Sequence, residues 1–150
     1  MFRELIGACV GLAMMGMAGT VHAMTFNYTG AFTPSGGGTF NATGSLTIDE
    51  SLFNGTTYQA LSNSNITAFS FTGDTPEFGT VSFSLADVVT TAVTAFDSFN
   101  SPPDIENGGG FLANNGTFSI IMFGTSNVGF FATSFQFSYS GDWVAEAPEP

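Results

Sequence analysis

The regular alternation of apolar and polar side chains constrains this chain more than any other feature. Met24-Thr25-Phe26-Asn27-Tyr28-Thr29 switches character at every step, the period of a strand with one buried and one wet face. The same pattern recurs over residues 45–49, 67–72, 80–85 and 134–139, and residues 117–123 read as a more fully buried run. Turn clusters separate these segments: 34–38 (Pro-Ser-Gly-Gly-Gly), Asn54-Gly55, 73–76 (Gly-Asp-Thr-Pro), Pro102-Pro103, 108–110 (Gly-Gly-Gly) and Asn115-Gly116. Short alternating strands divided by Gly, Asn and Pro predict an all-β fold, a single antiparallel β-sandwich of jelly-roll or immunoglobulin size. One segment departs from the pattern. Val88, Val89, Ala92, Val93 and Phe96 fall at helical spacing, but β-branched residues favour strands. The expectation there is a short turn at Ala86-Asp87 followed by a strand through Phe96.

The first 23 residues belong to a different class. Met1-Phe2-Arg3-Glu4 is a charged start, an apolar run follows from Leu5 to about Ala18, and Val21-His22-Ala23 is a small-residue exit. This is the layout of a secretory signal peptide cleaved after Ala23, and the run is shorter than the roughly 18 apolar residues of a membrane span. Residues 24–142 are then the β-sandwich domain, and 143–150 a flexible acidic tail. All but one of the 18 Phe (Phe2) lie after the cut, and alternation sends most of them to one face of each strand. Phe burial, at about 25 cal/mol per Å², is the driving force available to a domain of this size. From Asn107 to Gly141 no residue is charged, and a Phe-rich window of that kind aggregates unless it is tucked inside.

Removal of the leader also removes chemistry. Arg3, Cys9 and His22 are the only Arg, Cys and His, and there is no Lys. The remainder carries all the Asp and Glu except Glu4 and no basic side chain. Such a surface repels phosphate, so nucleic acid and anionic membrane are excluded as electrostatic partners. Ser-His-Asp and Cys-His catalysis, phosphoryl transfer and His/Cys zinc sites all lack their residues. Carboxylates alone leave glycoside hydrolysis by paired acids, chosen among Asp49, Glu50, Asp74, Glu77, Asp87 and Asp97, or Ca²⁺ binding. Asp104-Ile105-Glu106-Asn107-Gly108 places oxygen donors at alternate positions before a Gly, like the start of a calcium loop, with Asp104 and Glu106 as ligands; an ordinary solvated turn is the alternative. No other cofactor is expected. Trp143 is the candidate sugar-stacking residue, or else packs at a sheet edge.

The tail ends on Pro148-Glu149-Pro150. Together with the signal peptide and the acidic, Thr/Ser/Gly/Phe-rich body, this resembles the PEP-CTERM family of exported bacterial proteins. Residues 44–50 (Gly-Ser-Leu-Thr-Ile-Asp-Glu), 66–71 (Ile-Thr-Ala-Phe-Ser-Phe) and 83–88 (Phe-Ser-Leu-Ala-Asp-Val) resemble its ectodomain pattern. The resemblance implies signal peptidase and exosortase as partners during export, Pro148, Glu149 and Pro150 as the sorting motif, and association with exopolysaccharide. In that family an apolar helix and a basic cluster follow the motif; neither lies within these 150 residues, so the chain as given is expected to make no stable membrane insertion. The implied protein is a non-enzymatic component of the cell surface or extracellular matrix of a Gram-negative-type bacterium. A calcium- or polysaccharide-binding module is the alternative.

Overall fold

The computed structural model describes residues 23–52, 59–89, 93–98, 101–107, 111–123, 127–133 and 135–146. Eleven strands account for most of them: β1 (Ala23–Phe32), β2 (Phe40–Asp49), β3 (Gln59–Ala60), β4 (Ile66–Thr75), β5 (Gly79–Ser84), β6 (Val93–Ser98), β7 (Ser101–Asn107), β8 (Phe111–Asn114), β9 (Ser119–Phe123), β10 (Asn127–Ala132) and β11 (Phe135–Ala145). The all-β, antiparallel expectation holds. The main layer is one eight-stranded sheet, ordered β5-β4-β2-β1-β11-β10-β9-β8, and the second is a three-stranded sheet, β3-β6-β7. The smaller sheet lies with β7 against β9 and β11.

The large sheet curls nearly into a barrel. Tyr139 on β11 donates its phenol proton to the carbonyl of Asp74 on β4 at 2.8 Å. Two strands lie between them in the sheet order. On a flat sheet that gap is about 14 Å, beyond the reach of a tyrosine. Small residues permit the curl. Gly141, Gly30, Ala42 and Gly73 are successive register partners across β11, β1, β2 and β4. The Tyr28 ring lies over Gly30 and the Tyr139 ring over Gly73, where a Cβ would collide with each phenol. Glycine kinks of this kind are how a sheet bends sharply.

The curl brings the two outer strands of the sheet together. Directly after β5 the chain makes a 3-10 turn, Leu85–Asp87, and Val88 then bridges Ala113 of β8. The Val89 amide donates to the Leu112 carbonyl at 3.0 Å. From the other side, Asn115 Nδ2 donates to the Ser82 carbonyl of β5 at 3.4 Å.

Alternation decides what the interior holds. Phe26, Tyr28, Ala42, Leu46, Ile48, Phe69, Phe71, Val81, Phe83, Val128, Phe130, Phe137, Tyr139 and Trp143 are all buried on the concave face. β4 keeps its phase through a bulge: Ile48 pairs with Ile66 and Thr47 with Ala68, so Thr67 has no partner. Ile66, Phe69 and Phe71 therefore all point inward although they do not alternate strictly.

Three expectations of extent are corrected. β11 runs through Ala145, and the Glu146 amide donates to the Thr25 carbonyl at 2.8 Å. The folded domain therefore extends beyond residue 142, because residues 143–145 complete the pairing with β1. Gly73-Asp74-Thr75 belongs to β4 and the turn begins at Pro76, because Gly73 faces the crowded interior and must be small. Pro102 and Pro103 lie inside β7, which tolerates them because it is an edge strand and its register with β6 shifts beside them. The turns expected at Asn54-Gly55 and 108–110 lie outside the described residues. The turn at Ala86-Asp87 is present, and the strand that contains Phe96 begins at Val93, with residues 90–92 outside the described residues.

Candidate functional site

Strand direction divides the barrel into two poles. β1 and β4 begin at the pole where β2, β5 and β11 end. That pole carries Ala23, Asp49 and Glu146, and is the end from which the chain enters and leaves. The opposite pole carries tight turns over residues 33–39, 76–78 and 115–118.

Aromatic rings gather at this second pole because Phe flanks each of its turns. Phe32 and Phe40 are the last and first residues of β1 and β2 and a register pair, with ring centroids 6.4 Å apart. Phe32 stacks on Phe137 at 4.4 Å, and Phe137 on Phe130 at 5.2 Å. Phe130 meets Phe118 at 5.3 Å, and Phe118 meets Phe78 at 5.1 Å. The inner members, Phe130 and Phe137, are buried; Phe32, Phe40 and Phe118 are half-buried, and Phe78 is 43% exposed. An arc of rings thus crosses the mouth of the barrel, buried in its middle and partly in water at its two ends.

The turns hold these rings in fixed positions. The hydroxyl of Thr75, itself buried, accepts the Phe78 amide at 2.9 Å and donates to the Gly79 carbonyl at 2.9 Å. Asn115 Oδ1 accepts the Phe118 amide at 2.9 Å, and the Asn115 amide donates to the Phe118 carbonyl at 3.1 Å. Gly79 and Gly116 adopt φ of 67° and 90°, the left-handed conformation these turns require. The Gly37 amide closes the third turn on the Pro34 carbonyl at 3.0 Å.

Behind the arc lies a second aromatic layer. Tyr139 meets Phe137 edge-on at 4.9 Å, and Phe71 meets Tyr139, Tyr28 and Phe83. Both phenols donate to backbone carbonyls, Tyr28 to Tyr139 at 3.0 Å and Tyr139 to Asp74 at 2.8 Å. Burial pushes the Tyr28 phenol up to about 12, partly offset by hydrogen bonding at the Val128 backbone. The Tyr139 phenol is pushed up further by burial, then by the nearby charge of Asp74.

Trp143 lies in this layer and not on the surface. It is 5% exposed, 5.2 Å from Tyr28, and its ring edge packs where a side chain at Gly44 would stand. A stacking platform needs a free face, so the sugar-binding expectation at Trp143 is corrected: the residue is core, in register with Tyr28 on β1. Its Nε1 is buried without a hydrogen-bond acceptor.

The residues of the calcium expectation lie in a strand and not in a loop. Asp104 and Glu106 lie in β7, opposite Phe96 and Thr94 of β6. An extended, paired backbone is not the curled loop that gathers ligands from alternate positions. Among the described residues, no three His, Cys, Asp or Glu side chains converge as a metal site does. Three of the carboxylates considered for hydrolysis, Asp49, Asp74 and Asp87, accept hydrogen bonds from residues close along the chain. Asp74 accepts from Thr80 Oγ1 at 2.7 Å, and Asp87 accepts the Ser84 amide at 2.7 Å and its hydroxyl at 2.9 Å. Asp49 accepts the Ser51 amide at 2.9 Å, and hydrogen bonds from Ser51 hold its carboxyl below the usual carboxylate range. Ala23 is exposed and is the first residue of β1; Pro148, Glu149 and Pro150 lie outside the described residues.

The aromatic arc escaped the sequence reasoning. Alternation sends most of the Phe to one face of each strand and does not single out Phe32, Phe40, Phe78 and Phe118, which each stand next to a Gly, Pro or Asn turn. That adjacency is the signal that places a ring at a barrel rim. No protein-family model, curated protein or solved structure matches this chain.

Proposed function

We propose that this chain is an exported, non-enzymatic component of a bacterial cell surface or extracellular matrix, sorted as PEP-CTERM proteins are. In this reading signal peptidase cuts after Ala23, exosortase acts at Pro148-Glu149-Pro150, and the folded domain resides among exopolysaccharide. One observation carries it. The chain enters and leaves the domain at a single pole, where Ala23 faces Asp49 and Glu146 is hydrogen-bonded to Thr25. A sorting tail attached there would hold the protein by one end and turn the opposite pole outward. The closed, aromatic-filled sheet suits a passive module of this kind, since its buried face is spent on packing.

The test is genetic. Deletion of the exosortase gene in the source bacterium is expected to leave the protein unprocessed and missing from the matrix fraction. Normal delivery to the matrix in that strain would overturn the sorting proposal. A polysaccharide-binding role is the second reading, favoured by the half-exposed rings at the pole away from Ala23 and Glu146.

A further inference from the structure

We propose that the aromatic arc at the pole opposite Ala23 and Glu146 is a docking surface for a polysaccharide of amino sugars bearing protonated amines. The inference rests on the surface- or matrix-protein reading above and assigns it a ligand class and a site.

Three observations lead to it. First, the rings at the mouth are partly in water and yet fixed. Phe78 is 43% exposed, while its amide is held by the buried Thr75 hydroxyl. Phe118 is half-buried, while its amide and carbonyl are both tied to Asn115. A ring already held in place loses little conformational freedom when a ligand stacks on it. Second, the arc is continuous. From Phe40 through Phe32, Phe137, Phe130 and Phe118 to Phe78, no ring is more than 6.4 Å from the next. Phe137 and Phe130 in its middle are buried and support the rings in water at its two ends, Phe40 and Phe32 at one and Phe118 and Phe78 at the other. An extended polymer can therefore meet both ends, where a single small molecule would meet one.

Third, the charge around the arc selects the polymer. Glu77 is exposed beside Phe78, and Asp74 lies at the base of the same turn with its carboxylate on Thr80. No Lys, Arg or His occurs among residues 23–146. Anionic glycans are repelled by such a surface, and neutral ones gain nothing from it. A protonated amine gains twice: it pairs with the carboxylates, and it is attracted to the faces of the Phe rings. The sugar ring supplies apolar C–H faces for stacking and hydroxyls for the exposed Thr117. The site thus consists of Phe78 and Phe118 as stacking faces and Glu77 as the charge partner.

The experiment uses purified full-length protein and calorimetric titration with three hexasaccharides: β-1,4-linked glucosamine, its fully N-acetylated form, and the corresponding glucose oligomer. The glucosamine hexamer is expected to bind and the other two to bind at least tenfold more weakly. Raising salt from about 0.01 M to about 0.15 M should weaken the first severalfold, as the screening length falls from about 30 Å to about 8 Å. Phe78→Ser is expected to cost about two- to fivefold in affinity, the scale of one exposed cation–ring contact, and Glu77→Gln a similar factor. Glu50→Gln, at the other pole, should cost nothing. The proposal is overturned if the glucosamine hexamer does not bind, if all three sugars bind alike, or if Phe78→Ser and Glu77→Gln leave affinity unchanged. It is also overturned if a lysine decamer binds as tightly through the same two residues, since the surface would then be a receptor for basic peptide. Export and matrix delivery are measured separately, so either idea can fail without the other.

Discussion

Tyr28 and Tyr139 keep their phenols protonated because both are buried and donate to carbonyls, so their folded-state values lie above the ordinary 10.0. Where the folded value is raised, the unfolded chain loses its proton first as pH climbs. The stability contributed is therefore complete below pH 10 and drains away as pH rises from there through about 12. Melting temperature should be flat on the neutral side of that window and fall steeply within it, and Tyr28→Phe should make the fall shallower. An equally steep fall in Tyr28→Phe would show that other groups control the alkaline limit. At Gly73 an added methyl would strike the Tyr139 phenol. Gly73→Ala is expected to cost about 1–3 kcal/mol in urea unfolding, the usual price of overpacking. Tyrosine alternation is plain in the sequence, and so is Gly30, two residues from Tyr28 on the same face of β1; the glycine beneath Tyr139 is not, because Gly73 lies on a distant strand.

Among the elements, β5 shows how an outer strand is kept from pairing with a neighbour. Its sequence, Gly-Thr-Val-Ser-Phe-Ser, is β-prone and uncharged, the kind that adds to other sheets when left open. Asp87 occupies the Ser84 amide and Asn115 the Ser82 carbonyl. Removal of both in Asp87→Ala/Asn115→Ala should produce concentration-dependent association in size-exclusion chromatography. A monomer at every concentration would mean that the curl of the sheet protects the strand by itself. β5 was foreseen from its alternation, as were the cores of β1, β2, β4, β9 and β11. β10 was not, because Asn127 and Gly129 interrupt its pattern, and it is specified by the β9 and β11 strands on either side.

At the scale of the molecule, closure depends on the two ends of the domain meeting. Phe26 pairs with Ala145 and Tyr28 with Trp143, so β11 joins the halves of the sheet. A chain stopped at Gly141 should lose its cooperative thermal transition in circular dichroism, and a retained transition would show that the halves fold without that joint. No Lys or Arg follows Arg3, so trypsin should leave residues 24–150 uncut even in urea. Any internal cleavage seen by mass spectrometry would contradict that. The sequence alone determined the strand class, the turns at 34–38 and 115–116, the acidic charge and the absence of Lys, and of Arg, Cys and His after residue 22, because these depend on residue identity and on neighbours close along the chain. Only the tertiary structure decided that Trp143 is buried, that Asp104 and Glu106 lie in a strand, and that half-exposed phenylalanines gather at one mouth. Those outcomes depend on which strands meet when the sheet curls, and that is set by contacts between residues a hundred or more positions apart, such as Tyr28 and Trp143.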